Sequence, residues 1–226
     1  MRYTSFGTSG LTVSTVGLGL AALGRPGYLT LGHAEDLAGR TDVPALERHA
    51  HRMLDAARAA GIDYVDGARS YGRSEEFLAS WLRTRRVASD SVVVGSKWGY
   101  IYRADWRTDA EVHEVKVHSL ENLDRQYAES SGWLGTHLRL YQIHSATADS
   151  GVLEDRAVIG RLAELRDAGV IVGLTVSGPS QAESIRRALA IAPGGTPLFG
   201  AVQATWNLLE TSAGQALAEA ADAGLA

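Results

Sequence analysis

The chain has 226 residues, a formal net charge of −4, a pI near 6.0 and no cysteine. That length sustains one substantial core, and the whole of 1–226 reads as a single domain. The charge gives no electrostatic case for nucleic acid or an anionic membrane surface, and disulfides and thiolate catalysis are excluded. Met1-Arg-Tyr-Thr-Ser5 lacks an apolar signal core and no apolar run reaches membrane-spanning length, so a cytoplasmic protein with no membrane partner is expected.

In chain order, a hairpin is predicted first, turning at Thr8-Ser-Gly10. Short apolar runs then alternate with longer amphipathic ones, which is the pattern of βα units around a parallel sheet. Strands are expected near 15–20, 62–66, 91–97, 138–144, 170–176 and 199–204. Helices are expected near 44–60, 74–86, 110–129, 153–168, 180–192 and 211–223. Ala45, Leu46, Ala50, Met53, Leu54 and Ala57 recur at the spacing of a buried helical face. Asp42 before Pro44, and Ser180 ahead of Glu183, mark helix starts. Runs such as Val92-Val-Val94 and Val170-Ile-Val172 suit strands covered on both faces. Loops 21–43 and 98–109 follow strands and carry Tyr28, His33, Trp98, Tyr100, Tyr102 and Trp106, as a pocket lining or as packing for the rim.

Four titratable residues stand at the ends of these apolar runs. Asp66 closes Gly61-Ile-Asp-Tyr-Val-Asp66, and Tyr71 follows in a polar turn. Lys97 follows Ser91-Val-Val-Val-Gly-Ser96, and His144 follows Leu138-Arg-Leu-Tyr-Gln-Ile143. In a barrel of parallel strands all carboxyl ends meet at one face, so the four converge there.

The segment from Gly61 through Asp66-Gly-Ala-Arg-Ser-Tyr71-Gly72-Arg-Ser-Glu75 resembles the Asp-Thr-Ala-x-x-Tyr-Gly-x-Ser-Glu signature of the aldo-keto reductase family. Val92-Val-Val-Gly-Ser-Lys97 and Leu140-Tyr-Gln-Ile-His144 resemble its lysine and histidine strands, and Val202-Gln203-Ala-Thr-Trp-Asn207 its nicotinamide-supporting segment. The resemblance implies an α/β fold, a TIM (β/α)8-type barrel with an N-terminal β-hairpin. About six βα units are present where eight are needed, so the last units are read as missing.

The resemblance further implies an NAD(P)H-dependent oxidoreductase that reduces an aldehyde or ketone to an alcohol. No side chain supplies hydride, so a nicotinamide cofactor does, with NADPH expected and NADH not excluded. Tyr71 is then the general acid, Asp66 and Lys97 its tuning pair, and His144 the orienter. A lysine ammonium about 4 Å away lowers a tyrosine pKa by about 1–3 units. Gly19, Thr175, Gln203 and Trp206 fall where the family holds the cofactor, while Val176 stands where an asparagine amide is common and Gly67 where threonine is usual. The partner implied is a small carbonyl compound, and oligomeric state has no readable code.

Two rival readings are set beside this one. A metal hydrolase finds no HxH strand pair and no HExxH helix. His49 and His51 face different ways, His113 and His118 are placed on a helix outside the barrel, and His33 and Asp36 stay open as ligands in a loop. No metal is expected. The other rival is a catalytically silent, nucleotide-binding or regulatory protein of the same fold. Gly17-Leu-Gly19 and Gly194-Gly195 form no GxGxxG phosphate loop, which leaves a Rossmann dehydrogenase a poor third.

Overall fold

The computed structural model describes residues 1–27, 37 and 39–226. Tyr28, His33 and Asp36 lie outside the described residues. The predicted hairpin forms from β1 (Tyr3–Ser5) and β2 (Thr12–Ser14), with Tyr3 opposite Ser14 and Ser5 opposite Thr12. Tyr3 Oη donates to the Gly61 carbonyl at 3.0 Å, and Thr8 N to the Gly224 carbonyl at 2.9 Å. The hairpin is thereby held to the strand-entry end of the molecule, away from the strand ends that carry Asp66, Lys97 and His144.

Six strands form one parallel sheet: β3 (Gly17–Gly19), β4 (Tyr64–Asp66), β5 (Val93–Trp98), β8 (Leu138–Ile143), β9 (Ile171–Thr175) and β10 (Ala201–Gln203), adjacent in that order. Every pairing is parallel, as βα connections require. The helices are α1 (Val43–Ala59), α2 (Ser74–Thr84), α3 (Leu120–Leu134), α4 (Arg156–Asp167), α5 (Gln181–Leu189) and α6 (Gly214–Asp222). Alternation along the strands sorts side chains onto two faces. Val65, Val94, Trp98, Tyr141, Ile143, Val172 and Leu174 join one apolar cluster with Leu54, Leu78, Trp81, Leu123, Leu162 and Ile185 of the helices. Tyr64, Asp66, Lys97, Leu140 and Gln142 take the other, concave face. The amide of Gln142 on β8 reaches Asp66 on β4 at 3.3 Å, across the intervening β5.

The alternating order and the strands agree with the sequence reading to within two residues at each end. Asp42 caps α1 as expected, accepting from Ala45 N at 2.9 Å. Ser180 sits at the start of α5 but makes no capping side-chain bond. Met53 is not on the buried face of α1; it is 37 % exposed.

The larger correction concerns 98–119. The predicted helix at 110–129 begins only at Leu120, and ahead of it lies a strand, β7 (Glu114–Lys116), paired antiparallel with β6 (Tyr100–Tyr102). Glu114-Val-Lys-Val117 alternates with period two, and that alternation wins locally over helical spacing. The hairpin continues directly from the carboxyl end of β5 and returns beside it, since Val117 N donates to the Gly99 carbonyl at 2.7 Å.

Candidate active site

The parallel ladder draws Tyr71 back towards Lys97. Beyond β4, Gly67 N donates to the Gly95 carbonyl at 2.9 Å and Arg69 N to the Lys97 carbonyl at 3.0 Å. The chain then turns, with Tyr71 N bonded to the Ala68 carbonyl at 3.1 Å, and enters α2. Glu75, 2 % exposed, fastens this turn. Its carboxylate accepts from Ser96 on β5 at 2.5 Å, from Ser130 on α3 at 2.7 Å and from Arg69 at 2.5 Å. Arg69 also binds Glu129 at 2.6 Å. A buried carboxylate with this many charge-assisted partners holds one geometry.

All four residues singled out in the sequence come together. The Lys97 ammonium is ion-paired with the Asp66 carboxylate and donates to the Gly67 carbonyl at 3.0 Å. The two side chains are nearly enclosed, Lys97 at 2 % and Asp66 at 7 % exposure. Lys97 Nζ stands 5.1 Å from the centre of the Tyr71 ring. The His144 ring meets the same ring edge-on, with centroids 5.5 Å apart. Burial pulls the Lys97 ammonium below its ordinary pKa, and the Asp66 carboxylate in contact with it opposes that loss.

His144 is held from several sides. Its backbone N–H donates to the Trp98 carbonyl at 2.8 Å, and the Tyr100 ring lies 4.8 Å from its own. His118 Nε2 donates to the His144 carbonyl at 2.9 Å. His118 is therefore not on an outer helix; it precedes α3, packs on Trp98 at 5.5 Å, and supports the site from behind. Burial pulls His118 down to about 4, and burial together with the Lys97 charge pulls His144 down to about 3.

Both histidines therefore refuse a proton that an unfolded chain accepts near 6.5. Their contribution to stability is complete above that value and is lost as the pH falls towards about 4 and about 3. The thermal midpoint accordingly drops on acidification through this window. His118→Gln shows a shallower drop than the parent chain; equal slopes would contradict the assignment.

The four positions expected to hold cofactor share this end of the sheet. Gly19 is in register with Asp66, and Thr175 with Gln203. The Thr175 hydroxyl accepts from Ser145 N at 2.8 Å, which fixes the bend after His144. Gln203 is exposed, and Trp206 in the following loop is 62 % exposed. The aromatic loop residues divide. Trp98 is wholly buried in the core, while Tyr102 and Trp106 line a cleft with Gly72, Arg73, Arg103 and Asp105 beside the Tyr71 turn. Among the described residues, no three histidine, aspartate or glutamate side chains converge as a metal set. No helix among them is long and apolar enough to cross a membrane.

Gln142 and Arg25 were passed over in the sequence, and His118 was misplaced. Gln142 was findable as the residue two before His144 on the same strand face. Arg25 and His118 lie in connections, where no period marks them.

A parallel α/β sheet with an Asp–Lys–Tyr–His cluster at its carboxyl ends defines a barrel-class protein with its chemistry at that face. The Aldo/keto reductase family model matches residues 29–224, and the chain belongs to that family. It is 30 % identical over 185 residues to aldo-keto reductase str7 of Strobilurus tenacellus, covering 80 % of this chain and 47 % of that protein. Aldo-keto reductase YhdN of Bacillus subtilis is 28 % identical over 222 residues, covering 93 % of this chain and 55 % of that one. The chain thus spans about half the length of these curated relatives. The crystal structure of PA4992 from Pseudomonas aeruginosa superposes with a TM-score of 0.73 at 28 % identity, over 99 % of this chain and 75 % of that one.

Proposed function

We propose that the protein is an NAD(P)H-dependent reductase of small aldehydes or ketones, with Tyr71 as the proton donor and NADPH the expected cofactor. The observation that carries this reading is the buried Asp66–Lys97 pair set beside the Tyr71 ring, with His144 edge-on to the same ring.

Features of this face support a nicotinamide nucleotide as its occupant. Gly19 leaves open space, since nothing lies within 4 Å of where its Cβ would stand. The Gln203 amide and the Trp206 ring stand exposed at the same strand ends, with the Thr175 hydroxyl beside them. When bound, the nucleotide supplies hydride to the carbonyl carbon.

The chain's own residues handle the proton. An unperturbed tyrosine is a poor acid at neutral pH, and a nearby ammonium favours its phenolate. Asp66 favours the charged form of Lys97, and Gln142 holds the second carboxylate oxygen. His144, kept neutral by burial, buries Nδ1 with no hydrogen-bond partner among the described residues. That nitrogen is the natural place for the lone pair, which leaves the N–H on Nε2 to orient a carbonyl oxygen.

Calorimetric titration of the 226-residue chain with NADPH, then NADH, tests the reading. Saturable binding of NADPH is expected. Binding of neither nucleotide contradicts the proposal, and binding without turnover of any carbonyl assigns the silent role instead.

A further inference from the structure

Arg25 follows β3 in a loop with no sequence motif, yet its side chain is only 6 % exposed. Its guanidinium carbon stands 5.5 Å from the centre of the Tyr71 ring. Nη1 donates to the carbonyl of Ser70, the residue before Tyr71, at 3.2 Å, and to Glu114 Oε2 on β7 at 3.2 Å. One side chain thus joins the β3 loop, the Tyr71 turn and the β6–β7 hairpin.

The backbone beneath it is equally close. Arg73 N donates to the Gly24 carbonyl at 2.7 Å. Gly72 holds a φ of +61°, and a Cβ there would sit 2.9 Å from Arg25 Cβ. A guanidinium this enclosed needs a strong reason to be there, because burying a charge is unfavourable unless it is paired.

We propose that Arg25, braced by Glu114, is a positioning residue for the Tyr71 hydroxyl. The planar guanidinium lies against the ring and holds it towards Lys97 and His144, and its charge adds to that of Lys97. Glu114 fixes the guanidinium and tempers its field. The inference rests on the reading of Tyr71 as the acid and adds a control on how readily it ionises.

The charged and titratable groups that touch Tyr71, or touch the residues against it, come from several elements among the described residues. They are Asp66 from β4, Lys97 from β5, His144 after β8, Arg25 after β3, and Tyr100, Tyr102, Glu114 and Lys116 from the hairpin. Arg25 and Glu114 pair with each other, so either can be replaced while the Asp66–Lys97 pair stays intact.

The test is a spectrophotometric titration of the Tyr71 phenolate in the intact chain. Tyr71's own signal is taken as the difference from Tyr71→Phe in each background. Arg25→Met removes the cation beside the ring and leaves the Glu114 carboxylate without it, so the midpoint rises by about one pH unit. Glu114→Gln removes one carboxylate from beside the cation, so the midpoint falls. Opposite signs support the proposal. A merely structural brace would move both variants the same way, and that result, or no movement in either, overturns it. If Arg25→Met does not fold, the sign of the Glu114→Gln shift alone decides. A parent Tyr71 that titrates at the ordinary value of about 10 removes the acid assignment itself. A depressed parent midpoint that is blind to both substitutions removes only the role of Arg25.

Discussion

Replacing Tyr71 by Phe lowers turnover by about 100- to 10,000-fold, the range of a lost general acid, and leaves nucleotide affinity unchanged. The phenylalanine ring keeps the edge-on contact with His144 and the approach of Lys97, so the site keeps its shape and loses one hydroxyl. Glu75, Ser96, Ser130 and Arg69 hold the turn without using the tyrosine oxygen. The substitution therefore separates proton delivery from folding. Steady-state kinetics with calorimetry on the same variant check it, and an undiminished rate would remove Tyr71 from the chemistry.

Replacing Lys97 by Met has the second large effect, on stability as well as turnover. It strands the Asp66 carboxylate on the concave face, 7 % exposed, with the Gln142 amide at 3.3 Å. Breaking a buried ion pair from one side costs about 3–5 kcal/mol. In a domain of this size that lowers the thermal midpoint by roughly 6–20 °C. The double variant Asp66→Asn with Lys97→Met removes the stranded charge and recovers much of that loss, while turnover stays low in both. Thermal unfolding of the two variants reads the difference. A single variant as stable as the parent would mean that the pair is neither buried nor coupled as described.

Where the strand-borne residues of the candidate site would stand was legible in the sequence, and where most of the loop-borne ones would stand was not. Asp66, Lys97 and His144 end or follow apolar runs, and in a parallel sheet such ends share one face whatever the loops do. Tyr71 was visible through its motif, because the turn after β4 is short and its ladder bonds continue to Arg69. His118 was misplaced because 110–119 was given helical spacing, whereas pairing with Tyr100–Tyr102 makes a strand of Glu114–Lys116. That pairing is tertiary in origin, and β-propensity depends on such context. Arg25 carried no local signal. Its meaning depends on Ser70 and Glu114, 45 and 89 residues further along the chain. Trp98 was assigned to a loop and proved to be core, since β5 runs one residue beyond the lysine.

The most direct test of the account is product analysis with the chain, NADPH and a panel of small aldehydes and ketones. Alcohol and oxidised nucleotide are expected in equal amounts for at least one carbonyl, with both abolished together in Tyr71→Phe. A chain that binds NADPH yet yields no alcohol from any member, or a Tyr71→Phe variant that yields as much as the parent, would contradict it.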